Sequence, residues 1–97
     1  MVRSFADRGT EDLYNGVDSR AARRSCPSTL WVIARRKFDY LDSSVSLQSL
    51  RVPPANQLEA LKGDRKGQHS IRINRQYRIC FVWTANGPER LEVVDYR

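Results

Sequence analysis

The sequence predicts an α+β fold, an antiparallel sheet of about four to five strands packed against N-terminal helices. Three observations predict it. Between Ser28 and Ser44 apolar residues recur at helical spacing, with Leu30, Ala34, Phe38 and Leu41 on one face and Arg35, Arg36, Asp39 and Asp42 off it. From Ile71 onward the period changes to two: Ile71 and Ile73 alternate with Ser70, Arg72 and Asn74, then Tyr77, Ile79, Phe81 and Trp83 with Arg78, Cys80 and Val82. The alternating runs are separated by turn signals, Asn74-Arg75 and "ANGP". Helical segments that precede the strands in a block cover one face of an antiparallel sheet and leave the other free to carry polar groups.

In chain order, "MVRSFAD" reads as a short first strand with Val2 and Phe5 available for burial, and "DRGTEDLYNG" as a short helix closed by Asn15-Gly16. "DSRAARRSCPS" is polar and basic and reads as a connection, with Pro27 opening the next helix, where a missing N–H is harmless. That helix runs from Ser28 to Ser44, its stripe widened by Trp31 and Ile33. "SLQSLRVPPANQ" gives a helical turn and a loop broken by Pro53-Pro54. The meander follows, and "ERLEVVDYR" is its last strand.

The length of 97 residues fits one domain spanning 1–97. Lys and Arg number 17 against 11 acidic residues, and the resulting +6 favours a polyanionic partner over an acidic ligand. No apolar run is long enough to span a membrane, and none opens the chain as a secretion signal, so the expected location is the cytoplasm. In that setting Cys26 and Cys80 are expected as buried thiols. His69 is the sole histidine and no paired-cysteine motif is present, so neither a metal site nor another cofactor is expected. Positive charge concentrates between Glu59 and Trp83, in Lys62, Arg65, Lys66, Arg72, Arg75 and Arg78. Alternation sends Arg72 and Arg78 from neighbouring strands toward one side of the sheet, where guanidinium groups suit phosphate recognition; scattered solubilising charge on a solvated face is the alternative.

The segment "RVPPANQLEALKGDRKGQHSIRINRQYRICFVW" and the closing "LEVVDYR" resemble the HigB toxins, the plasmid-maintenance killer proteins of the RelE/ParE superfamily. "VRSFADRGTEDLYNG" and "LWVIARRKFDYLD" are similar to the same family, so the resemblance spans nearly the whole chain. It implies a RelE-like sheet and a metal-independent endoribonuclease that cuts messenger RNA in the A site of the 70S ribosome. It also implies a HigA-like helix-turn-helix antitoxin as partner, through which alone operator DNA would be met. Carried over by motif, the catalytic positions are Lys62 of "LKG", the strand residue Arg78, and Asp95 and Tyr96; Arg65, Lys66 and Arg72, from the basic cluster, are expected as RNA-binding groups. Arg78 is the group to stabilise the phosphorane, Lys62 a phosphate ligand or base, and Tyr96 a stacking group or proton donor. Asp95 would orient a nucleotide or pair with Arg78, and Glu59 is a further proton acceptor near the site. Family members end Asp-Tyr-His, whereas this chain ends Asp95-Tyr96-Arg97. Arginine cannot exchange protons near neutral pH as histidine does. Arg97 therefore either substitutes in phosphate binding or leaves a weakened toxin, natural or deliberately made so. Two other readings remain: a ParE-like poison of DNA gyrase, and a module that binds ribosome or antitoxin without cutting.

Overall fold

The computed structural model describes residues 1–96; Arg97 lies outside the described residues. Helix α1 (Arg8–Tyr14) starts where the Asp7 carboxylate accepts the Thr10 N–H at 2.7 Å. It ends at Asn15, and Gly16 turns the chain away at φ 74°. A second helix, α2 (Arg20–Ser25), occupies the stretch expected as a connection. Its cap is Ser19, whose hydroxyl accepts from the Ala22 N–H at 3.0 Å and donates to Asp12 of α1 at 2.6 Å. The hydroxyl thus joins two helices, and with Arg8 it holds the Asp12 carboxyl below its ordinary range. Pro27 opens a 3-10 turn, Ser28–Leu30, before α3 (Trp31–Ser43).

The four strands are β1 (Glu59–Ala60), β2 (His69–Arg72), β3 (Tyr77–Thr84) and β4 (Gly87–Asp95), paired antiparallel in sequence order. The expected N-terminal strand is reduced to one parallel bridge, Phe5 to Leu91. The cause is a bulge in β4: the register passes from Cys80–Glu92 to Val82–Glu89, so Arg90 and Leu91 oppose Phe81 alone. Arg90 stands at φ 57° and gives its N–H to the Ser4 hydroxyl, which interrupts a regular ladder. The β2–β3 loop is also longer than the two residues expected. It spans residues 73–76, and the Asn74 side chain accepts from Gln76 and Tyr77 N–H at 2.9 and 2.7 Å, an Asx turn in place of a left-handed backbone.

The helix-facing parity of the strands supplies the apolar core, although Ser70, Arg78 and Cys80 of the opposite parity are buried as well. Ile71, Ile79 and Phe81 are fully buried against Leu13 of α1 and Ala34, Phe38 and Leu41 of α3, with Leu50, Leu91 and Val93 closing the cluster. The Thr10 hydroxyl accepts the buried Val93 N–H at 3.0 Å, so α1 also satisfies the bulged strand. Cys26 and Cys80 are buried free thiols. Among the described residues no helix is long and apolar enough to cross a membrane.

Candidate phosphate-binding face

Cross-strand partners share a face, so the register sorts the sheet without reference to side chains. Pairing of Ile71 with Ile79 and of Ile79 with Val93 defines the helix side. Pairing of Glu59 with Ser70, Ser70 with Cys80, Arg72 with Arg78, Cys80 with Glu92, and Arg78 with Val94 defines the other. Arg72 and Arg78 do share a face, as alternation predicts. That face is not fully solvated: Ser70 and Cys80 are 0% exposed and Arg78 is 9% exposed. The chain between Gln57 and Gln68 forms β1 and the hairpin loop leading into β2, and it supplies groups that close over the face.

Arg78 is the centre of this arrangement. Its Nε donates to the Ser70 hydroxyl at 2.6 Å, and its Nη2 donates to the carbonyl oxygens of Gln57 and, at 3.3 Å, of Ser70. These acceptors are neutral, so they fix the guanidinium plane without cancelling its charge. Nη1 faces the Glu59 carboxylate at 3.7 Å, and the Glu59 side chain is 57% exposed. Two nitrogens of the cation are thus anchored on neutral oxygens and the third faces an exposed carboxylate, which an incoming anion would have to displace.

A second cluster adjoins it. Arg65, from the β1–β2 loop, donates to Glu92 of β4 and to Gln68, both at 3.1 Å. The Glu92 partner raises the Arg65 pKa further. Tyr96 follows β4, and its hydroxyl lies 3.5 Å from the Cys80 sulfur. Burial, then the Cys80 contact, pushes the Tyr96 phenol up to about 12, while Arg65 and Arg78 pull it the other way. Tyr96 is therefore a protonated hydroxyl at neutral pH that holds its proton more tightly than a free tyrosine. Burial raises the Cys80 thiol as well, so it too stays protonated.

Of the residues expected at a site, Arg78, Arg65 and Tyr96 are brought together and Arg72 lies across the strand pair from Arg78. Lys62 and Lys66 flank the 3-10 turn Gly63–Arg65 and are exposed in the same hairpin loop. Asp95 is placed differently. It pairs with Tyr77 on the Ile79 parity, one step out of phase with Arg78, and its carboxylate accepts from Gln76 Nε2 at 3.1 Å. Arg97 lies outside the described residues. His69, expected as a surface histidine, is half-buried, its ring stacked on Phe81 at 6.3 Å with Nδ1 enclosed. The anchors Ser70 and Gln57 and the acid Glu92 escaped the sequence reading. For Ser70 and Glu92 a signal existed, since they share strand parity with Arg78; a carbonyl such as that of Gln57 leaves none.

Comparison with known proteins defines a class, the small RelE-like toxins. The structure matches the YoeB–YefM complex from Staphylococcus aureus with a TM-score of 0.51 over 95% of each chain at 16% identity, a likeness of fold. The family model described as "RelE-like toxin of type II toxin-antitoxin system HigB" matches residues 3–97. Toxin HigB-1 of Vibrio cholerae is 40% identical over 83 residues, covering 86% of this chain and 84% of that protein. An uncharacterized Haemophilus influenzae protein is 40% identical over 60 residues, 62% of this chain and 59% of its own length. The chain belongs to the HigB-like toxin family of type II toxin-antitoxin systems.

Proposed function

We propose that this chain is a ribosome-dependent endoribonuclease that cuts messenger RNA in the A site and is neutralised by a HigA-like antitoxin, with operator DNA reached only through that partner. The observation that carries the reading is the joint placement of an anchored Arg78, a second guanidinium in Arg65 and a protonated Tyr96 on one face. RNA cleavage by its own 2′-oxygen needs that oxygen deprotonated, the phosphorane charge stabilised and the 5′-oxygen reprotonated.

Glu59 is the group to take the 2′-proton, being an accessible carboxylate 3.7 Å from Arg78. Arg78 donates to the non-bridging oxygens as charge builds on them. Tyr96 gives its proton to the departing 5′-oxygen, leaving a 2′,3′-cyclic phosphate and a 5′-hydroxyl. Lys62, Lys66 and Arg72 steer the RNA backbone. In this scheme Arg97 is a phosphate ligand, and proton transfer does not pass through it. Asp95 acts on Gln76 and the β2–β3 loop, away from the reacting phosphate. The likeness to a structure solved as a toxin bound to another protein, YoeB with YefM, supports an antitoxin as the protein partner.

The test is primer extension on messenger RNA in a reconstituted bacterial translation reaction, with and without ribosomes, for the chain and its Arg97→His variant. Cuts at A-site codons that need ribosomes, from both proteins, support the reading. Cuts from the histidine variant alone move proton transfer to position 97. No cuts from either, or loss of DNA supercoiling by gyrase instead, overturns it.

A further inference from the structure

Lys37 of α3 is 7% exposed, unusual for a lysine. Its ammonium donates to the Asn56 side-chain oxygen at 2.8 Å and lies 5.5 Å from the centre of the Tyr40 ring. Burial, with Arg36 and Arg72 as like-charged neighbours, lowers its pKa. An apolar residue of similar length at this place would avoid both burdens. A costly buried cation held by a neutral amide calls for a role beyond packing.

The contacts lead to the phosphate-binding face. Asn56 is 0% exposed, and its amide nitrogen donates to the carbonyls of Leu50 at 3.1 Å and Val52 at 3.4 Å. One side chain thus ties both arms of the Leu50–Gln57 segment. The next residue, Gln57, is in the left-handed region at φ 46°, ψ 58°, which side chains rarely adopt without support. Its carbonyl is the oxygen that takes the Arg78 Nη2. An unbroken path therefore runs from Lys37 through Asn56 and the Gln57 carbonyl to the guanidinium.

We infer that Lys37 and Asn56 are positioning residues for RNA cleavage: they lock the Leu50–Gln57 segment so that the Gln57 carbonyl aims Arg78 at the scissile phosphate. The inference rests on the ribonuclease reading above. Neither residue touches the RNA. Their action is that of outer groups that orient a charged ligand-binding group, where loss commonly lowers activity by about 10–100-fold.

The experiment compares Lys37→Met and Asn56→Asp with the parent chain. The aspartate variant is isosteric, keeps the acceptor for Lys37 and removes the two donations into the segment. At saturating ribosomes the cleavage rate constant is expected to fall about 10-fold or more, with ribosome affinity changed less than about two-fold. In an Arg78→Lys background the same changes are expected to cost nothing further, because their effect passes through the lost guanidinium. The Arg78 Nε–H resonance in a ¹H–¹⁵N spectrum is expected to shift and broaden in each folded variant. A folded variant with an unmoved resonance and an unchanged rate overturns the inference, and so does an equal fractional loss in both backgrounds. If the parent chain itself cuts no RNA, the ribonuclease reading falls, and the resonance alone still decides whether Lys37 and Asn56 position Arg78.

Discussion

Replacing Ser70 by alanine isolates the anchoring of Arg78 from the presence of its charge. Ser70 is 0% exposed and its hydroxyl accepts the Arg78 Nε–H at 2.6 Å. Alanine keeps the backbone, its pairing with Glu59 and Cys80, and the Ser70 carbonyl that accepts from Nη2. What is lost is the partner of a buried, charged N–H. Leaving such a donor unsatisfied costs about 1–3 kcal/mol. The Gln57 and Ser70 carbonyls still hold Nη2, and some water can follow the missing hydroxyl, so about 1–2 kcal/mol is expected. For a domain near 100 residues that is a drop in Tm of about 4–16 °C. Catalysis is expected to fall less than for outright deletion of a preorganised donor, which costs about 10²–10³-fold, so about 10-fold is predicted. Thermal unfolding followed by circular dichroism reads the first quantity, and single-turnover cleavage on programmed ribosomes reads the second. A Ser70→Ala protein with unchanged Tm and unchanged cleavage would refute the claim that this hydroxyl holds the guanidinium.

Other expectations follow from single contacts. Gly9→Ala would drive a Cβ to 2.5 Å from the Ala21 carbonyl oxygen and nearer still to the Ser25 hydroxyl, forcing α2 off α1; a loss of about 1–3 kcal/mol is expected in urea unfolding, the usual penalty for overpacking. Tyr96→Phe removes the proposed proton donor and is expected to slow cleavage by about 10²-fold with ribosome affinity kept. The Tyr96 pKa is raised, so the folded chain holds this proton more tightly than the unfolded chain. Its contribution to stability is constant below the ordinary tyrosine value of ~10 and is lost as pH rises through about 12. Ultraviolet titration of the phenols is expected to lose a high-pH component in the Tyr96→Phe protein.

The parts of the fold that follow local periodicity were legible in the sequence. The α3 stripe and the alternation in β2 and β3 each bury one side of an element, and that need is written in spacing. Helix α2 was hidden because it is six residues long and buries only Ala22, so Arg20, Arg23 and Arg24 dominate its composition. Its capping serine was the available signal. The first strand was overestimated because β4 bulges, a property of the partner. For the site, motif resemblance pointed to Lys62, Arg78, Asp95 and Tyr96, the basic cluster to Arg65, and alternation gave the shared face of Arg72 and Arg78. None of these could show that Arg78 is nearly buried. Its anchors, Ser70 and the Gln57 carbonyl, lie 8 and 21 residues away; pairing of β2 with β3 brings in the first and pairing of β1 with β2 the second.

In the proposed reaction Arg78, held by neutral oxygens on the face away from the helices, stabilises the cleaving phosphate. The measurement that tests it most directly is A-site cleavage of messenger RNA by the Arg78→Ala chain beside the parent, with the circular dichroism of both recorded. The Arg78→Ala protein is expected to stay folded and to cleave about 10²–10³-fold more slowly or undetectably. A folded Arg78→Ala chain that cuts the same codons at the parent's rate would contradict it.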